Sequence, residues 1–571
     1  MTGRLRNPNL AGWLLMAGVI ALAAVFIFWL ERGLTYGWDE FVWLEQGGLA
    51  PDLGTLFHPY GGHLIVFPYL VWRGMLDAFG ESFTAFAVVQ VIGLSLMAVL
   101  LYVYAKRRIG PILALAPATA MLFLGGAYPV LLEPMIGIQF LAALVPGLAA
   151  ILMLEREDRL GDVAACALLV LALAGFSEAV PFLIGAAVAI LVGPDRKRRI
   201  WVVAVPVIAY GAWRLWAAKY ESAGIVYSNV PFLPAYFVDA FAVYGTALFG
   251  LVGLIGSGAW SSMRLNGFSL DYLSAGIVFT ALEALAIVAI IRMLRRHRPV
   301  PRTLWPPLAI MIALWVELGI VLIPGRTAAE PRYLYAGVLA LLLVAVELLR
   351  GTRATRATVA VALVLTGAAV AGNLARFHDA RQMLDAIQKE ARADMAVIEL
   401  AGKNGDQTFT PNIDAPWTVP GALDLNVGPW LEVANRYGSP ADSISHLRSQ
   451  SEGVREEADV LAVKLLKLHP AAVPARAARR GCRVVSGGSG PTEIVLPKGG
   501  AVLTPADDST LTLRRWADRF AAGLGDLRGG EPVVLSIPPD RSNVPWRLSL
   551  ERAGRVEVCS IGRDRPSSPT G

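Results

Sequence analysis

The chain has 571 residues, of which 55% are hydrophobic and only 17% charged, and its mean hydropathy is +0.53, a balance that excludes a soluble multi-domain protein and fits an integral membrane protein. The formal net charge of +6 would suit a nucleic acid, but the basic residues fall mostly in short clusters between apolar runs, where orientation in a membrane explains them, so a nucleic-acid partner is excluded.

The first element is the uncharged run 11–30, preceded by Arg4 and Arg6. At ~1.5 Å per residue it is long enough for a hydrocarbon core of ~30 Å. It ends in Trp29-Leu30-Glu31-Arg32 rather than at a small-residue cleavage site, so it reads as a retained first helix and not as a signal peptide.

The segment Tyr36–His63 that follows, YGWDEFVWLEQGGLAPDLGTLFHPYGGH, is rich in acids, histidines and aromatics. Asp39 and Glu40 are adjacent, so on a helix they point about 100° apart and only one can face a given substrate atom. One then suits a general base toward a hydroxyl nucleophile, while the other orients an acceptor or helps hold a divalent cation such as Mg or Mn. Solvated loop acids and interfacial aromatics, Trp38 and Trp43, are the plainer reading of the same residues. His58 and His63 have no third ligand at a fixed spacing, which favours hydrogen bonding to substrate over metal binding.

Further spans are expected near 84–105, 111–127, 137–154, 162–176, 179–193, 200–217, 272–292, 304–323, 333–349 and 356–373, about 11 with the first. The clusters Lys106-Arg107-Arg108, Glu155–Arg159, Arg196–Arg199, Arg295–Arg298 and Arg350/Arg353/Arg356 then share one side, the cytoplasm by the positive-inside rule. This requires 64–79, with Pro68, Arg73 and Asp77, and 235–257 to lie along the interface or re-enter from outside.

The outward loops then collect Tyr128 and Glu133, Ser177 and Glu178, Lys219 to Glu221, and the stretch RTAAEPRYLYAG with Arg326, Glu330, Arg332 and Tyr333. Glu133 and Glu178 at helix mouths are costly unless paired or solvated, and are candidates for substrate contacts. Arg326 and Arg332 present planar forks of donors suited to phosphate oxygens at headgroup depth, with membrane anchoring as the alternative role. Glu283, Glu317 and Arg214, inside spans, are expected to find polar partners there.

After residue 373 the character changes. Phe377, Leu384, Ile387, Ala391, Met395 and Ile398 recur at helical spacing among charges, the pattern of an amphipathic stem over 374–402. The remainder, 403–571, ends in short strands, TEIVLP, GAVLTP, STLTLRRW, EPVVLSIP, WRLSLE and RVEVCSI, separated by Gly, Pro and Asp turns, which predicts a small β-sandwich. An odd number of spans places that domain outside the cytoplasmic membrane. There Cys482 and Cys559 are candidates for a disulfide, with two free buried thiols an equally open reading. With Cys166 they make three cysteines and no CxxC or HxxxH spacing, so a thiolate-held metal is not expected.

Taken together, WDEFVWLEQ...HPYGGHLIVFPYLVWRGML, the late Arg-Tyr loop, about eleven spans across 1–373 and a C-terminal extracytoplasmic domain resemble the GT-C superfamily of membrane glycosyltransferases, closest to a poorly characterised actinobacterial-type group. The resemblance implies transfer from an outer-leaflet polyprenyl-phosphate sugar to a cell-envelope glycan, lipid or protein acceptor in the lipid bilayer. It implies Asp39, or else Glu40, as base, and Arg332 with Tyr333 as donor-phosphate contacts. Many members carry two neighbouring aspartates where this chain has Asp39-Glu40, which leaves the identity of the base and any metal requirement open. A single displacement of this kind would invert the anomeric centre. A transporter or flippase of lipid-linked sugars and a catalytically inactive glycan-binding scaffold are the competing expectations. Transporters often show repeated halves, and no internal repeat is visible here.

Overall fold

The computed structural model describes residues 8–49, 53–220, 224–251, 301–321, 328–411, 425–473, 479–486, 491–552 and 554–561. They fold as two compact units, neither continuous in sequence. The first comprises Met1–Gly33, Pro51–Met75 and Ser82–Gln382, and the second Leu34–Ala50, Leu76–Glu81 and Met383–Gly571.

The first unit is helical. Among the described residues seven helices are long and apolar enough to cross a membrane: Pro8–Leu30, Phe83–Ile109, Pro134–Leu154, Arg196–Ala217, Arg302–Ile320, Pro331–Leu348 and the helix that begins at Arg356. An eighth results if the bent pair Leu115–Leu122 and Gly125–Leu132 counts as one span. Their outward faces carry Val25, Ile208, Leu215 and Val364, all at least two-thirds exposed. Such surfaces would be unfavourable in water and suit lipid. The chain is therefore a multi-span α-helical membrane protein with a β-rich C-terminal region.

The expected count of eleven is not reached among the described residues. The run 162–176 forms a helix Arg159–Leu173 of 15 residues, about 22 Å and short of a ~30 Å core. The run 179–193 lies in the short apolar helix Ser177–Val192, and 111–127 is broken by a 41° bend. The expected span 272–292, Glu283 and the end of 235–257 lie outside the described residues; the start of 235–257 is in the helix Leu233–Ala247. The 64–79 stretch gives a 14-residue helix, Val66–Phe79, about 21 Å long.

The second unit holds Asp39–Leu49, the C-terminal part of the Arg356–Ala401 helix, and the helices Val427–Tyr437, Ile444–Ser449 and Glu452–Leu465. The apolar face predicted for the stem, Phe377, Leu384, Ile387, Ala391, Met395 and Ile398, is buried throughout. Nine strands follow: β1 Pro470–Ala472, β2 Arg479–Ser486, β3 Thr492–Val495, β4 Gly500–Pro505, β5 Ser509–Arg514, β6 Ala522–Leu527, β7 Val533–Ser536, β8 Arg547–Leu550 and β9 Arg555–Ile561. They form two antiparallel sheets in the orders β1-β7-β4-β9-β2 and β3-β8-β5-β6. Asp459, fully buried, ties the last helix to the strands by accepting the N–H groups of Arg515 at 2.9 Å, Trp516 at 3.1 Å and Ala517 at 3.1 Å.

Cys482 of β2 and Cys559 of β9 are joined by a disulfide across 77 residues, while Cys166 is free and buried. Closing a loop of that length lowers the entropy of the unfolded chain by an amount equivalent to about 4.5 kcal/mol. Reduction, or Cys482→Ser, is therefore expected to destabilise the sheet that contains β4 and β9 by a similar amount. Hydrogen exchange of those strands with and without reductant measures it, and unchanged protection would show that the bond contributes nothing.

Glu81, outside the spans, offers a pH-dependent probe of the second unit. Its N–H donates to Tyr437 O at 2.9 Å, and burial, followed by the neighbouring Glu399, pushes its carboxyl from an ordinary 4.5 up to about 8. Below about 4.5 the group is protonated in both folded and unfolded chains. Between 4.5 and 8 the folded chain keeps a proton that the unfolded chain has lost, so stability falls as pH rises through this window. Glu81→Gln should leave stability unchanged near pH 4.5 and raise it near pH 8, by on the order of a few kcal/mol. Melting curves at the two pH values test this, and an equal effect at both would contradict it.

Candidate functional site

In the helical unit, a two-residue turn sets the first polar group. Tyr60 and His63 exchange both backbone hydrogen bonds at 3.0 Å, and the two residues between them, Gly61 and Gly62, have φ of 56° and 84°. Consecutive left-handed residues are what such a tight turn needs, and glycine adopts them without a Cβ clash. This accounts for the glycine pair in HPYGGH. The carbonyl of Gly62 accepts Arg214 Nη1 at 3.1 Å, which satisfies a cation placed inside a span.

The turn sets His63 Nδ1 2.7 Å from Ser177 Oγ, with the ring 4.2 Å from that of Phe176. Ser177 opens the short helical turn Ser177–Ala179, and its hydroxyl also donates to Glu178 Oε2 at 3.4 Å. Glu178 is 3% exposed. Its field reaches Arg332 and Glu317, and Ser177 also hydrogen-bonds Glu317. Glu317 Oε2 is out of reach of solvent and has no hydrogen-bond partner among the described residues. Tyr210 senses Glu317, Arg214 and Glu178 together. His63, Ser177, Glu178 and Glu317 thus form one hydrogen-bonding array that can accept from, or donate to, several hydroxyl groups.

Helix starts supply the rest. Glu133 precedes Pro134 at the N-cap of Pro134–Leu154, and Glu330 precedes Pro331 at the N-cap of Pro331–Leu348, so both carboxylates sit where the helix dipole favours negative charge. Arg332, in the first turn of the second helix, lies 3.5 Å from Glu330 and 5.6 Å from the centre of the Tyr333 ring. Its Nε is buried and unpartnered among the described residues. Tyr128 is within the field of Glu133, Glu330 and Arg332. Tyr333, Phe140, Phe176 and His63 make a chain of neighbouring rings at 6.4, 5.2 and 4.2 Å.

Not every expected residue joins this group. His58 is exposed and packs its ring against Tyr220 at 4.3 Å and Trp216 at 5.5 Å, apart from the Ser177 array. Arg326 and Glu221 lie outside the described residues. Sequence reading left Glu317, Arg214 and Tyr210 out of the site. An acid within an apolar run, as at Glu317, was the signal.

Asp39 and Glu40 belong to the second unit. Trp38 adopts φ of 47°, a left-handed conformation unfavourable for a bulky residue, and the chain then enters the helix Asp39–Leu49. Glu40 is 1% exposed, and its Oε2 accepts the Gly37 N–H at 3.0 Å while its own N–H donates to Gly37 O at 3.1 Å. This reciprocal arrangement resembles a capping box. Asp39 is only half-buried. Farther along, Phe41 stacks edge-on against Trp430 at 5.8 Å, and Glu45 Oε1 accepts the Asn426 N–H at 2.6 Å, which fixes the helix in its unit.

Among the described residues, Cys482, Glu557 and Cys559 are the one group of three potential metal ligands, and its two thiols are bonded to each other. Asp39 and Glu40 do not belong to such a set among the described residues.

No protein-family profile matches the chain, and no curated protein does. Among solved structures it is similar to the cryo-EM structure of the arabinosyltransferase EmbB from Mycobacterium smegmatis, at 12% identity and a TM-score of 0.34, over 95% of this chain and 64% of that one. The chain therefore spans about 64% of the length of that protein, and a similarity of this size assigns it neither substrate nor activity.

Proposed function

We propose that the protein is a membrane glycosyltransferase that moves a sugar from an outer-leaflet polyprenyl-phosphate donor to a hydroxyl of a cell-envelope acceptor, with inversion. The observation that carries this reading is Arg332. It is an arginine in the first turn of an apolar helix, beside Tyr333, with a buried Nε that has no partner among the described residues. A guanidinium so placed suits the phosphate of a lipid at headgroup depth, where the helix dipole adds to its attraction. Arg326, close in sequence, is the second proposed phosphate contact. The His63–Ser177–Glu178 array, with Glu133, supports sugar binding, because each member exchanges hydrogen bonds readily with hydroxyl groups. His58, flanked by aromatic rings, is kept as a more peripheral substrate contact.

Asp39 is assigned as the general base. Glu40 is buried and spends a carboxylate oxygen on the Gly37 N–H, and Asp39 is the more exposed of the two. The base would take the proton of the acceptor hydroxyl as its oxygen attacks the anomeric carbon, and the bond from that carbon to the phosphate oxygen would break with release of the polyprenyl phosphate. The C-terminal domain is assigned to the extracytoplasmic side. A reporter enzyme fused after Gly571 should then be active outside the cytoplasm, and activity only inside would reverse the orientation.

The activity itself is tested by incubating purified protein with a panel of radiolabelled polyprenyl-phosphate sugars and envelope acceptors. Label should pass to an acceptor. A full panel of donors returned intact would remove the assignment.

A further inference from the structure

A cavity lies far in sequence from the residues assigned to transfer, at the end of the helical unit marked by Lys106–Arg108 and Arg196–Arg199. It measures about 280 Å³ and is shared by the ends of Phe83–Ile109, Pro134–Leu154 and Val180–Val192 and the start of Trp305–Ile320. One wall is apolar, with Ile151, Leu154, Ile190 and Pro306, and the other carries Arg108, Arg199 and Arg302.

These arginines differ in how far they are already engaged. Arg108 is neutralised within the protein: Nε binds the buried Glu347, Nη2 meets Glu155 at 2.5 Å and Nη1 donates to Tyr104 O at 2.9 Å. Arg199 gives Nε and Nη2 to Asp162 at 2.9 and 2.7 Å. Glu347 also accepts Thr303 Oγ1 at 3.1 Å and Arg350 Nε at 2.9 Å. Glu155 is shared with Arg107 at 2.6 Å. These pairs lock the cavity walls in place and leave Arg302, whose guanidinium makes no hydrogen bond or ion pair with any described residue. Glu157 is the one lining acid outside these pairs, and it is exposed. The surrounding surface is basic through Lys106, Arg196, Lys197 and Arg198.

We propose that this cavity holds the phosphodiester headgroup of a membrane glycerophospholipid, with the phosphate on Arg302 and the start of the acyl chains on the Ile151–Ile190–Pro306 wall. Three features select this occupant. An apolar wall beside a cation that no described residue pairs matches a molecule that is itself half hydrocarbon and half anion. The cavity opens where spanning helices end, at the depth of headgroups. Basic pockets between the ends of membrane helices are a favourable setting for anionic headgroups, because the surrounding positive field adds to the local contact. A site here is independent of the transferase reading and would stand if that reading failed.

The test uses full-length protein stripped of lipid in neutral detergent. Thermal unfolding and native mass spectrometry are followed with dioleoyl phosphatidylglycerol, with dioleoylglycerol, which keeps the chains and lacks the phosphate, and with glycerol 3-phosphate, which keeps the phosphate and lacks the chains. Phosphatidylglycerol alone should stabilise and be retained. Arg302→Glu should weaken its apparent affinity at least tenfold. Ile190→Trp, which fills the apolar side, should weaken it too, while Arg198→Glu, on the basic surface beside the cavity, should change it less than threefold. Equal binding of dioleoylglycerol, equal protection by glycerol 3-phosphate, or equal losses in Arg302→Glu and Arg198→Glu would each overturn the proposal. The first would show a plain lipid surface, the second a free-phosphate site and the third a diffuse charge effect. Arg302 is exposed, so its variant keeps the test decisive even if Ile190→Trp fails to fold.

Discussion

Asp39→Asn is expected to lower the rate of sugar transfer by ~10²–10⁴-fold, the usual cost of losing a general base, while leaving expression and donor binding near the wild-type level. The substitution keeps size and hydrogen-bonding capacity and removes only the basic carboxylate. Glu40→Gln is its partner experiment. Because Glu40 Oε2 accepts the Gly37 N–H, and an amide oxygen can do the same, Glu40→Gln should keep transfer within a few-fold. Glu40→Ala should instead lose about 1 kcal/mol of local stability, as removal of a helix cap does. Turnover measured for all three variants at saturating donor decides the assignment. A silent Asp39→Asn beside an inactive Glu40→Gln would move the base one residue along, and two near-normal variants would return the acidic pair to ordinary loop chemistry.

The second large effect is expected at Arg332. A charged hydrogen bond to phosphate contributes about 1.5–3 kcal/mol, so Arg332→Ala should raise the donor KM by ~10–100-fold. Arg332→Lys should lie between, since a point charge keeps the attraction and loses the planar fork. Acceptor KM should change little in either variant. If Ala and Lys both leave donor KM and kcat untouched, Arg332 is a headgroup anchor, and its partner is Glu330 at 3.5 Å rather than a substrate phosphate.

Much of the architecture was legible because membrane helices announce themselves by composition. The runs at 11–30, 84–105, 137–154, 200–217, 304–323, 333–349 and 356–373 each correspond to a helix long enough to span. The count of eleven is not reached among the described residues, because hydropathy could not see breaks: the Phe123–Leu124 interruption between Leu122 and Gly125 bends one candidate, and Ala174–Phe176 ends another after 15 residues. In the C-terminal region, β3, β4, β5, β7, β8 and β9 match the six apolar stretches read from the sequence. The three others were silent for local reasons. Strand β2, RRGCRVVS, is exposed along most of its length, β6 is AGLGDL with two glycines, and β1 is three residues long.

Less of the candidate site could be read in advance. Glu178 and His63 were individually visible, yet the contact that joins them through Ser177 spans 114 residues, and no local pattern encodes it. Glu317 and Arg214 looked like span interiors needing a partner. Arg214 satisfies its need with the Gly62 carbonyl, a pairing that depends on the left-handed Gly61-Gly62 turn. The different surroundings of Asp39 and Glu40 were equally hidden, because adjacent acids look alike in sequence until the helix start at Asp39 and the Gly37 N–H separate them.

The central claim, that this chain transfers a sugar rather than moves a lipid-linked sugar across the bilayer, is tested most directly in proteoliposomes carrying a polyprenyl-phosphate donor labelled on the sugar, with acceptor supplied in the outer medium. Label should leave the lipid phase and appear covalently on the acceptor, the new linkage should have the opposite anomeric configuration to the donor, and both signals should vanish with Asp39→Asn. Label that remains on the polyprenyl phosphate and redistributes between the leaflets, at the same rate in wild type and Asp39→Asn, would contradict it.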